Sequence, residues 1–86
     1  MFVYTETQYV LKALGEKIRL ARIHKGDTQE MFAARLRVSI PTLRSMERGS
    51  PGVSMTVFLN ALSVLGRIED MDQVLSSSVW RLIDSE

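Results

Sequence analysis

A reacting centre needs a base, a nucleophile or a set of metal ligands, and this chain of 86 residues offers one histidine and no cysteine. His24, near the end of a basic helical stretch, reads as a solvated side chain rather than a ligand. Glu69 and Asp70 are sequence neighbours and so diverge on a helix. No glycine-rich loop is spaced to cradle a phosphate, and no enzyme activity, cofactor or metal is expected. What remains is recognition. Between Ser39 and Arg48, the residues Ile40, Arg44 and Arg48 recur at steps of four, flanked by Pro41 and Ser45, with no acid among them. On a helix these share one outward face. Its chemistry suits a polyanion: small side chains at the start permit close approach, and guanidinium groups meet phosphates or guanine edges.

Such a face has to be held by other elements. The spacing predicts a first helix from an N-cap at Thr7 to about His24, with Leu11, Leu14, Ile18 and Ala21 as its buried stripe and Gly26 as a left-handed terminator. Thr28 then caps a second helix, Gln29 to Leu36, that turns Phe32, Ala33 and Leu36 inward. With Met31 where a capping box wants Glu or Gln, that cap is half made. Arg37 and Val38 form a short turn. Ser39 caps the third helix, and because Pro41 has no N–H, the Ser39 hydroxyl must accept from Thr42. Val38, Leu43 and Met46 are spaced to face inward.

Gly49-Ser50-Pro51-Gly52 reads as a connector, and Ser54 opens a fourth helix with Phe58, Ala61, Leu62 and Leu65 on one face. Met55, Val57, Leu59 and Val64 make that helix apolar on other sides too, which suggests a subunit contact. A fifth helix is expected from about Ile68 to Leu75, with Ile68, Met71, Val74 and Leu75 inward. The whole is an all-α, five-helix domain. Its domain spans residues 7–75, between an extension at 1–6 and an apolar tail at 76–86. Two short helices joined by a three- or four-residue turn, over residues 28–49, are the arrangement that places one helix in a DNA groove. A plain αα-hairpin with solvent-facing arginines is the other reading of the same pattern.

Charge supports the first reading. The chain is 45% apolar with a net charge of +1, yet residues 1–50 carry nine Lys and Arg against five Asp and Glu, while residues 51–86 carry two against five. One half is suited to a polyanion and the other is acidic. No apolar run approaches the roughly 20 residues of a membrane span, and the start lacks a signal peptide's pattern, so a cytoplasmic protein is expected.

The order Leu14-Gly15-Glu16-Lys17-Ile18-Arg19, Arg22, Thr28-Gln29-Glu30, Phe32-Ala33, Val38-Ser39, Leu43, Glu47-Arg48-Gly49, Leu62 and Leu65-Gly66 resembles the Cro and phage-repressor (XRE) helix-turn-helix family over about residues 14–66. The resemblance implies a lambda-repressor-like fold and a sequence-specific transcriptional regulator on double-stranded DNA. It implies that Gln29, beside Thr28, bonds a phosphate and braces the third helix, that Ile40, Pro41, Thr42 and Ser45 meet base edges, and that Arg48 meets a phosphate. Arg22 and Glu47 match a partly buried ion pair. Where the family usually has glycine in the turn, this chain has Arg37, which implies strain or an added phosphate contact. Ile40 and Pro41 cannot make bidentate hydrogen bonds, so readout is expected to rest on thymine methyls, Arg44 and DNA shape. Ser39, as cap, completes the expected DNA-binding set.

The stretch from Glu47 to Ser54 and the helices after it are similar to HipB-type antitoxins, which implies an autoregulating partner of a kinase-like toxin. A stand-alone or phage-type repressor fits equally. A homodimer is expected, through the fourth and fifth helices and through Phe2–Tyr4 or Val79–Ile83 as exchanged strands. The rival is a protein-interaction module, with Trp80 in its acidic part, that binds a partner protein and little DNA.

Overall fold

Hydroxyl caps set three of the helix starts. In the computed structural model, which describes residues 1–75, Thr28 Oγ1 accepts from the Met31 N–H at 3.1 Å, Ser39 Oγ from the Thr42 N–H at 3.2 Å and Ser54 Oγ from the Val57 N–H at 3.2 Å. The helices they open are α2 (Gln29–Leu36), α3 (Ile40–Arg48) and α4 (Met55–Val64). Before them runs α1 (Thr5–Lys25), and a 3-10 helix at Ile68–Gln73 follows. Five helices and no strand make up the described residues.

The core sits where α2 and α3 meet α1 and α4. Phe32 and Leu43 are fully enclosed, with Ile18, Ala33, Leu36, Met46 and Ala61 around them and Val38, Val53, Val57, Phe58, Val64 and Leu65 packed against the outside. Alanine at 33 and 61 lets the helix axes approach. The expected apolar faces of α2 and α3 are thus buried as read. Val57 and Val64 pack against this core while staying half-buried, and Met55 is the exposed large apolar residue of α4, at 72%.

α1 is pressed against the end of α3. A Cβ built on Gly15 would lie 2.5 Å from the Met46 carbonyl oxygen and 2.6 Å from that of Glu47, so only glycine permits the crossing. At the same junction Gly49 ends α3 with φ 78, and a Cβ there would lie 2.6 Å from the Lys12 Cα. The two glycines together fix α1 against the last turn of the third helix.

Two boundaries differ from expectation. α1 starts at Thr5, capped by the Tyr4 backbone with no side-chain bond, rather than after Thr7. The Gln8 N–H bonds the Tyr4 carbonyl at 3.1 Å, and Glu6 complements the dipole in the first turn. Phe2–Tyr4 leads directly into this helix and pairs with no strand of its own chain among the described residues; the Phe2 and Tyr4 rings meet edge to face at 5.0 Å. The last helix is a 3-10 turn that stops at Gln73, and Val74 and Leu75 are exposed, at 54% and 62%, instead of facing inward. Six residues with three acids are too short to propagate an α-helix. The expected role of Val79–Ile83 and Trp80, and the tail at 76–86, lie outside the described residues.

Candidate nucleic-acid interface

Local sequence makes α3 a presented helix. Leu43, Met46 and Glu47 turn inward, and Pro41, Arg44 and Arg48 are exposed on the other side, with no acid in the first turn. The turn before it is closed by Arg37 at φ 57, ψ 43, from which the Arg37 N–H bonds Ala34 O and the Val38 N–H bonds Ala33 O, both at 3.1 Å. Left-handed backbone at a residue with a Cβ costs on the order of 1 kcal/mol. The strain expected at Arg37 is real in the backbone, and its side chain points to solvent.

A chain of hydrogen bonds ties the presented face to the scaffold. Arg22 Nε donates to Glu47 Oε2 at 2.7 Å and Nη2 to Oε1 at 3.1 Å, in a pair only 7% exposed at each residue. The Arg22 Nη1 donates to the Asp27 carbonyl at 2.9 Å. Glu47 Oε1 also accepts from Gln29 Nε2 at 3.2 Å, and Gln29 Oε1 accepts from Arg44 Nε at 3.1 Å. Because Arg44 is held by Nε, its two terminal nitrogens are left as a fork, the geometry that meets the O6 and N7 of guanine. Gln29 thus joins α2 to the exposed arginine of α3, which is more specific than the bracing implied for it.

Of the other expected residues, Ser39 and Thr42 share a hydroxyl–hydroxyl hydrogen bond of 2.9 Å at the start of α3. Ser45 is half-buried, and its Oγ accepts a long bond from Arg48 at 3.4 Å. Thr28 is exposed, with its hydroxyl committed to the cap. Ile40 departs from the outward stripe: it is half-buried and packs on the core. As the first helical residue its side chain points back over the turn, where covering apolar surface is favourable.

Lys12 and Arg19 were not among the residues expected from the sequence. Both line a shallow cleft with Glu16, Gln29, Arg44, Glu47 and Arg48, between α1 and α3. Lys12, Glu16 and Arg19 recur at helical spacing around Gly15, and a glycine inside a strong helical pattern is a signal for close packing that could have found them.

The helix-turn-helix domain model matches residues 13–74. The chain belongs to the helix-turn-helix family. Its all-helical architecture suits a lambda-repressor-like domain and agrees with the resemblance to Cro and phage repressors. The propionyl-CoA carboxylase regulator of Cereibacter sphaeroides is 36% identical over 69 residues, which is 80% of this chain. The chain spans 14% of that relative's length. No solved structure matches. No helix among the described residues is long and apolar enough to cross a membrane. In this helix-turn-helix, α2 and α3 are the paired helices, joined through Gln29 and Arg44.

Proposed function

We propose that the protein is a transcriptional repressor that binds a near-palindromic operator as a homodimer, each copy laying α3 in the major groove. The observation that carries this is the acid-free face of Pro41, Arg44 and Arg48, with Arg44 fixed through Gln29 and Glu47 to the buried Arg22. A free solvated face has no use for such a brace, whereas base reading needs an arginine whose position is set beforehand. Thr28, Gln29, Arg37, Ser39 and Arg48 position the domain on phosphates, and Pro41, Thr42, Arg44 and Ser45 approach bases, with Ile40 at the margin. Exposed Met55, Val74 and Leu75 supply apolar surface for a partner copy.

The regulator named among the relatives supports gene control over the rival of a pure interaction module. The antitoxin role, with a kinase-like toxin as partner, has no separate observation in its favour. Selection of bound sites from random duplex DNA tests the proposal. A near-palindrome with half-sites about 10 base pairs apart is expected, and recovery of no common sequence would contradict it.

A further inference from the structure

Three cations converge on the α1–α3 cleft without a carboxylate of their own. Glu47 is satisfied by Arg22 at 2.7 and 3.1 Å, and Glu16 is paired with Arg19 at 3.1 Å. Lys12, Arg44 and Arg48 make no ion pair among the described residues. Their mutual repulsion is relieved by an anion, and with Glu16 and Glu47 already paired the cleft keeps a positive excess that concentrates anions. Lys12 also borders the adjoining hollow formed with Gln8, Arg48, Gly49, Ser50 and Pro51.

The position of Lys12 is not left to a floppy helix end. Its Cα and backbone N are where a Cβ on Gly49 would fall, 2.6 Å from each, so the backbone of Lys12 is locked to the residue that ends the presented helix. Whatever strand of phosphates Arg48 meets therefore passes the root of the Lys12 side chain. Lys17, five residues further along α1, lines a different groove, with Ile18, Phe58 and Leu62.

We infer that Lys12 is a DNA-backbone contact: its ammonium binds a phosphate of the same strand as Arg48 and extends the footprint of the helix-turn-helix onto α1. This rests on α3 being the DNA-facing helix. A phosphate contact carries no sequence information, so Lys12 adds affinity equally on every duplex.

The test is the salt dependence of binding of the full chain to a random-sequence duplex, followed by anisotropy from about 50 to 200 mM salt. Replacement by Lys12→Gln is expected to lower the log–log slope by about 0.9 and the affinity on the order of eightfold at 0.1 M salt. Melting temperature should not move, because the side chain is exposed. Lys17→Gln should change nothing, and Arg48→Gln should lower the slope as Lys12→Gln does. An unchanged slope for Lys12→Gln alongside a lowered one for Arg48→Gln overturns the Lys12 contact and leaves α3 as the DNA helix. Salt-insensitive binding by every variant, wild type included, overturns both.

Discussion

Arg37 and the Arg22–Glu47 pair carry opposite consequences for stability. At φ 57 the Arg37 backbone is strained, and its guanidinium makes no hydrogen bond among the described residues. Arg37→Gly removes the strain but loosens the unfolded chain, so a net gain of roughly 0.5–1 kcal/mol is expected from urea midpoints. If Arg37 also meets a phosphate, the same variant loses about one unit of salt slope. Stability gained together with slope lost would mark a residue kept for binding. At the buried pair the sign reverses. Glu47→Ala strands the Arg22 guanidinium, which is 7% exposed, and should cost about 3–5 kcal/mol. The double variant Arg22→Met with Glu47→Leu should recover most of that loss, since well-packed apolar replacements of buried ion pairs are often neutral. It should still bind DNA poorly, because Gln29 loses the Glu47 oxygen that holds it at 3.2 Å.

Among the elements, the crossing of α1 over α3 is where propensity and packing disagree. Helix propensity alone says that Gly15→Ala stabilises α1 by about 1 kcal/mol. The added Cβ would meet two carbonyl oxygens at 2.5 and 2.6 Å, so a net loss of roughly 1–3 kcal/mol is expected by thermal or chemical denaturation. The caps give a plainer case, with Ser39→Ala costing about 1 kcal/mol. Caps and apolar periods were readable because they are local: Thr28, Ser39 and Ser54 each sit where their own next three residues need an acceptor. Pro41 even dictated which N–H Ser39 would take. What escaped reading depends on distant partners. Nothing near Ile40 tells that its side chain folds back on the core, and nothing near Lys12 tells that it abuts Gly49. Val74 and Leu75 misled because period alone cannot show that an acidic, six-residue stretch ends as a 3-10 turn.

Among the described residues, the cationic cleft is lined by none of the exposed apolar side chains of α4 or of the chain after the 3-10 helix. Cations gather between α1 and α3, whereas Met55, Val74 and Leu75 stand exposed elsewhere. If those residues seat a second copy, sedimentation equilibrium should show a dimer at micromolar concentration, and Met55→Lys should shift it to monomer without loss of helicity. Operator affinity would then fall far more than non-specific affinity, because only the dimer can occupy two half-sites together.

The most direct measurement is the base preference of wild type and Arg44→Ala, read on every single-base variant of the selected operator. With α3 in the major groove and Arg44 reading a base, Arg44→Ala should abolish preference at one position in each half-site, worth about 1–3 kcal/mol there, and leave the others intact. Uniform weakening across all variants, with every preference kept, would contradict a reading role for α3.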